Sequence, residues 1–200
     1  MCSGQVLHVP YSSDKARLVV REMSDLLVLD IVEKGLVTDQ IVLTVGYDIE
    51  NVQNDDIGYD GDITVDRYGR SIPKHAHGTV TLSEYTSSTK IILDEVTKLY
   101  DKIVNPKLFI RRINISVNRL IPEHDVIEGA GGEQLDFFSY LEADSTDESK
   151  ELQKEKERKK QQAMIDIKRK YGKNSILRGM NLEEGATALS RNKQIGGHKA

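Results

Sequence analysis

The most constraining feature of this chain is the order in which its hydrophobic periodicity changes over the first 121 residues. Residues 5–9, Gln5-Val6-Leu7-His8-Val9, are short and rich in β-formers, and Pro10 follows them, which predicts a strand that ends there. Ser12 and Ser13 then offer a helix N-cap, with Asp14 in the first turn where the helix dipole favours an anion. Ala16, Val19, Val20, Met23, Leu26 and Leu27 recur at three- and four-residue spacing until Gly35, the pattern of a helix with a glycine stop. Residues 41–45 form a second apolar run rich in β-branched side chains. Residues 79–82 alternate, with Val80 and Leu82 on one side and Thr79, Thr81 and Ser83 on the other. Ser87 or Ser88 caps a second helix in which Ile92, Val96, Leu99 and Ile103 make one stripe. Asn105-Pro106 ends it, because proline disfavours helical geometry in the residue before it. A last strand is predicted over residues 108–120.

This order, β-α-β-β-α-β, is the split pattern of a ferredoxin-like α+β domain. Right-handed crossovers place both helices on one face of a four-stranded sheet and leave the other face bare. In the last strand Ile113, Ile115 and Val117 share the parity suited to the helix-covered side. Arg112, Asn114, Ser116 and Asn118 share the other, a row of hydrogen-bonding side chains that begins with a guanidinium and suits phosphates or base edges.

Between the second and third strands lies an insertion, residues 48–77, that carries seven carboxylates before its first base, Arg67. Asp56-Ile57-Gly58-Tyr59-Asp60-Gly61-Asp62 has some of the look of a calcium loop, but its spacing is wrong and the terminal Glu is missing, so a solvated turn-rich hairpin is expected. His75 and His77 could share one side of a strand, but no third or fourth ligand accompanies them, and no metal site is predicted.

After Pro122 the character of the chain changes. Hydrophobic residues are 38% of the whole, against ~45–50% in an average domain, so part of the chain is expected to lack a core of its own. Gly129-Ala130-Gly131-Gly132 reads as a flexible linker. The segment from 147 to 170 is mostly charged, and its apolar residues, Leu152, Met164, Ile165 and Ile167, are too few to predict a strong core face. A solvated helix or partly disordered arm is expected, followed by thirty residues poorly ordered alone. The predicted organisation is therefore a folded domain over 1–121, a linker segment over 122–145 and a charged helical or disordered tail over 146–200. With 28 Lys plus Arg against 32 Asp plus Glu, and neither part strongly basic, a nucleic-acid role needs a local patch rather than net charge. The single cysteine excludes a disulfide framework and suits a reducing compartment. No apolar run approaches the roughly 20 residues of a membrane span, nor is a signal peptide legible, and a cytoplasmic location is expected.

The combination Ser3-Gly4-Gln5-Val6-Leu7, the element order and the strand Ile110-Arg111-Arg112-Ile113-Asn114-Ile115-Ser116-Val117 resembles the little finger of Y-family translesion DNA polymerases over residues 3–120. The run Lys170-Tyr171-Gly172-Lys173-Asn174-Ser175-Ile176-Leu177-Arg178-Gly179 is similar to the tail of the UmuC-type branch of Gram-positive bacteria. The resemblance implies an error-prone polymerase of DNA-damage repair, with the open sheet face in the major groove of the primer–template duplex. It implies DNA contacts from Ser3, Gly4 and Gln5, from Lys74, His75, Thr79 and Thr81, and from Arg111 and Arg112 beside Asn114, Ser116 and Asn118. Gln134-Leu135-Asp136-Phe137-Phe138 resembles the peptide by which bacterial polymerases bind the sliding clamp, with Gln134, Leu135, Phe137 and Phe138 as its contacts. An exposed segment of this kind fills an apolar groove on a partner. Its alternative is a terminal strand in which Leu135, Phe137, Phe138 and Tyr140 pack back on the domain. In this family the acidic residues of a palm domain hold two metal ions, which activate the primer hydroxyl and neutralise the triphosphate. The palm, with its magnesium, is expected ahead of Met1, so the chain alone is expected to bind DNA and clamp without a cofactor and without polymerising.

Two other readings share the element order. An RNA-binding module of the RRM type would stack bases on aromatics of its central strands, where this sequence offers polar residues. A small-molecule regulatory domain would bind its ligand at a dimer interface, and the clamp-like peptide would then be coincidental.

Overall fold

The computed structural model describes residues 1–54, 57–129, 147–195 and 198–199. Elements follow in the order β1 (Cys2–Tyr11), α1 (Ser13–Glu33), β2 (Leu36–Tyr47), α2 (Glu50–Gln53), β3 (Ile63–Val65), β4 (Ser71–Pro73), β5 (Ala76–Thr86), α3 (Thr89–Ile103), β6 (Ile110–Asn118), β7 (Ile121–Pro122) and α4 (Glu123–Gly129). The four long strands make one sheet in the order β1-β6-β2-β5, each antiparallel to its neighbours. Helix α1 joins β1 to β2 with β6 between them, and α3 joins β5 to β6 with β2 between them. Two split β-α-β units are thus interleaved, and both helices lie side by side on one face.

The predicted caps and stops hold locally. Ser88 Oγ accepts the Ile91 N–H and starts α3, which ends two residues before Asn105-Pro106. Gly35 takes φ +64° beyond α1, in the left-handed region that favours glycine. Ile41, Leu43 and Val45 of β2 and Ile113, Ile115 and Val117 of β6 are buried against Val19, Val20, Met23 and Leu27 of α1 and Ile92, Val96, Leu99 and Tyr100 of α3. The two helices are also tied directly. Tyr100 donates its hydroxyl to the Ser13 carbonyl at 2.8 Å, and Arg17 forms a bidentate pair with Asp101 at 2.8 and 2.9 Å.

Strand β1 does not stop at Pro10 but runs through it to Tyr11. It is an edge strand, and its register to β6 shifts between Val6 and Tyr11, so the missing proline N–H breaks no ladder bond. Gly129, expected in a linker, is the last residue of α4, whereas Ala130, Gly131 and Gly132 lie outside the described residues.

The tail is the charged helix expected, but it docks on the domain rather than standing free in solvent. Helix α5 (Asp147–Tyr171) buries Met164 and Ile165 against Leu29 on the second face of α1. Gln161 donates from Nε2 to the Ser87 carbonyl at 2.8 Å and to Thr89 Oγ1 at 2.9 Å. Glu157 accepts the Ser88 hydroxyl at 2.7 Å, and Arg158 pairs with Glu123 at 2.9 Å. Beyond α5 a 3-10 turn (Gly179–Leu182) and a short helix α6 (Ala188–Arg191) return to α1. Arg178 meets Asp25 at 2.7 Å. The fully buried Glu22 carboxylate accepts Asn181 Nδ2 at 2.8 Å, the Thr187 N–H at 2.7 Å and the Ala188 N–H at 3.2 Å. The tail is therefore held mainly by polar anchors, which apolar periodicity cannot reveal.

No helix among the described residues is long and apolar enough to cross a membrane.

Candidate nucleic-acid interface

The sheet face away from the helices is a grid set by strand register. Gly4, Asn114, Thr44 and His77 lie in one row across the four strands. Cys2, Ser116, Val42 and Thr79 make the next, Asn118, Gln40 and Thr81 a third, and Val6, Arg112 and Gly46 the row at the other end. No carboxylate and no phenylalanine or tyrosine stands in these rows. Arg112 is exposed and makes no ion pair among the described residues, so its five donors are open to a ligand. Thr44 Oγ1 and His77 Nδ1 lie 2.9 Å apart, and Asn118 Nδ2 donates to Gln40 Oε1 at 3.3 Å. Gly4 lets the Asn114 amide lie across β1, since a Cβ there would fall 2.9 Å from Asn114 Oδ1.

Of the residues expected to bind DNA, the fold brings Gly4, Thr79, Thr81, Arg112, Asn114, Ser116 and Asn118 together on this face. The others lie elsewhere. Arg111 takes the parity of Ile113 and is spent on structure: it donates to the His8 carbonyl at 2.9 Å and lies 3.6 Å from the buried Asp48 carboxylate. Gln5 faces the tail, where its Oε1 accepts from Thr187 Oγ1 and Arg191 Nη1, both at 3.3 Å. Ser3, paired with the buried Ile115, lines a cleft with Leu29 and Ile165. Lys74 bonds Asp62 at the base of the β3–β4 hairpin through both its N–H, at 2.8 Å, and its ammonium, at 3.2 Å. His75 is exposed just before β5, its ring edge-on to His77 at 6.5 Å. Among the described residues no three His, Cys, Asp or Glu side chains are grouped to hold a metal ion. Gln40 and Thr44 escaped the sequence reading, although alternation in β2 sets them opposite Ile41, Leu43 and Val45. Gln134, Leu135, Phe137 and Phe138, with the alternative terminal strand, lie outside the described residues.

A model of the impB/mucB/samB family C-terminal domain matches residues 1–137. No curated protein matches the chain.

Proposed function

Because the chain belongs to the impB/mucB/samB family C-terminal domain, the C-terminal domain of UmuC/DinB-type Y-family polymerases with a DNA-damage-related role, we propose that its open sheet face binds primer–template duplex DNA. One observation carries this reading. In a chain of formal net charge −4, the four rows of the open face hold no carboxylate, and their Arg112 has no ion-pair partner among the described residues. Phosphates meet the guanidinium and the amide and hydroxyl groups, and duplex binding is independent of sequence and weakened by salt. Replacing Arg112 by Ala lowers affinity for unrelated primer–template duplexes alike, by several-fold at low salt, whereas Arg111→Ala acts chiefly on stability. Equal duplex affinity for Arg112→Ala and the parent protein refutes the groove-facing assignment.

The second element of the proposal is a tether. Gln134-Leu135-Asp136-Phe137-Phe138 binds the bacterial sliding clamp, with Leu135, Phe137 and Phe138 filling an apolar groove and Gln134 bonding at its rim. Burying one such side chain is worth about 1.5–3 kcal/mol, so Phe137→Ala with Phe138→Ala costs tens-fold or more in clamp affinity. Titration of the double variant against purified clamp checks this. Unchanged clamp affinity together with a lower melting temperature would identify the segment as a packed strand instead. Both interactions proceed without a cofactor of this chain, so chelation with EDTA leaves them unchanged. The magnesium chemistry and the nucleotide transfer belong to the family's palm.

A further inference from the structure

Beside the open face, along the free edge of β1, the segment bearing α6 returns against the sheet and closes a cleft of about 650 Å³. Gln5 and His8 of β1, Arg112 of β6, and Thr187, Ser190 and Arg191 of the tail form its polar walls. Among the described residues no aspartate or glutamate lines it, in a chain with more acids than bases. Arg112 has no ion-pair partner among the described residues, and neither has Arg191. The guanidinium of Arg191 is half-buried, yet its one bond among the described residues is to the neutral Gln5 Oε1 at 3.3 Å. Burial accordingly pulls its pKa below the usual arginine value. Two carboxylates of α1 act on it from a distance: Glu22 is already engaged by Asn181, Thr187 and Ala188, and Asp30 stands in the neighbouring cleft without an ion pair to it. A desolvated guanidinium with most of its donors unmatched is costly unless an anion completes it. A second unpaired guanidinium lines the same cleft.

We propose that this cleft is a phosphate site built jointly by β1, β6 and α6, and that it takes a backbone phosphate of the nucleic-acid strand that leaves the open face at Arg112. The source of the phosphate rests on the duplex-binding reading, whereas the anion site itself does not. Four of the thirteen residues that line the cleft, Ala186, Thr187, Ser190 and Arg191, lie beyond 137, outside the stretch matched by the family model, so the tail adds a nucleic-acid contact to the domain.

The test uses the full chain and three variants: Arg191→Gln, Ser190→Glu and, as a reference on the open face, Arg112→Ala. Ser190 is exposed, so Ser190→Glu introduces a carboxylate into the cleft without removing an anchor of Glu22. Binding of a labelled primer–template duplex is followed against salt. Arg191→Gln and Ser190→Glu each lower affinity about threefold to tenfold on unrelated sequences, and Arg191→Gln flattens the log–log salt slope by about 0.9 for a lost phosphate contact. Hydrogen exchange at the Thr187 and Ala188 amides stays slow in Ser190→Glu. A parallel melt with pyrophosphate separates the sources. A saturable rise in Tm that Ser190→Glu abolishes, in a protein that binds no duplex, keeps the anion site and discards the duplex reading. Duplex binding weakened by Arg112→Ala but by neither cleft variant keeps the open face and overturns the cleft. Loss in Arg191→Gln alone, with fast exchange at Thr187 and Ala188, also overturns it and makes Arg191 a plain anchor of the tail. Absence of both a duplex effect and a pyrophosphate effect overturns it outright.

Discussion

Gly78 lies near the start of β5, facing Leu99 and Ile103 of α3. A Cβ there would fall 2.9 Å from Leu99 Cδ1 and 3.0 Å from Ile103 Cγ2, both parts of the packed core. Gly78→Ala forces those side chains off their rotamers and costs about 1–3 kcal/mol, read as a lower urea midpoint with the slope unchanged. Glu22 makes the opposite case, a buried polar residue that many groups need. Glu22→Ala leaves Asn181 Nδ2 and the Thr187 and Ala188 N–H groups without their acceptor, at about 1–3 kcal/mol for each buried orphan. The tail then detaches before the sheet unfolds: exchange at Thr187 accelerates while that of Ile115 does not. Equal protection in the variant would show that Glu22 anchors nothing. Some of this scale was open to reading. Parity alone separates Arg111 from Arg112, and it was the resemblance that grouped them. The bond from Asn181 to Glu22 spans 159 residues and leaves no mark in local spacing.

Among the elements, the β3–β4 hairpin is organised by one carboxylate. Asp66 Oδ1 accepts the N–H groups of Tyr68 at 2.8 Å and Arg70 at 3.0 Å, and its Oδ2 pairs with the Arg70 side chain. Gly69 closes the tip at φ +78°. Here the turn-rich hairpin expected from the sequence is present, and the carboxylates Asp62 and Asp66 are used against Lys74 and Arg70. The side-chain bond from Arg70, with smaller help from the two N–H groups, holds the Asp66 carboxyl below the usual aspartate value. A bond from Arg17 does the same to Asp101 between α1 and α3. A depressed folded value means support that is complete above the unfolded pKa and is lost as pH falls through the folded one. Both contacts therefore hold at neutral pH and weaken below about pH 4. Because both groups are largely solvent-screened, the change is small and local, and it is checked by the Gly69 amide shift in an NMR pH titration. A Gly69 shift that is flat from pH 5 to about pH 2 would contradict the assigned role of Asp66. The helices show why caps and stripes were legible while docking was not. Ser88, Gly35 and Pro106 act within one turn of themselves. Helix α1, however, is apolar on more than one side, with Leu18, Val28, Leu29 and Ile31 buried besides the predicted stripe. That breadth was the available sign that a second layer covers it.

At the scale of the whole molecule, the domain and the tail share α1 as a common wall. Cutting the chain after residue 146 uncovers Leu29, Asp25 and Glu22 at once and lowers Tm, and adding residues 147–200 back as a separate peptide restores it. A truncated protein as stable as the full chain would mean that α5 and α6 contribute no net stability.

The strand order carries a consequence for the birth of the protein. β1 and β2 are made first, yet the strand that joins them, β6, is the last long one to be synthesised. Until residue 118 has left the ribosome, β1 has no neighbour with which to form its ladder, and β2 has only β5. Two edges of Val6 and Ile41 character wait side by side for a partner that does not yet exist. Nascent chains from which only residues up to about 105 have emerged should therefore be open to protease and prone to self-association, and those from which residue 122 has emerged should be resistant. The sheet closes only when its central strand is threaded in, so the open face comes into being in a single late step.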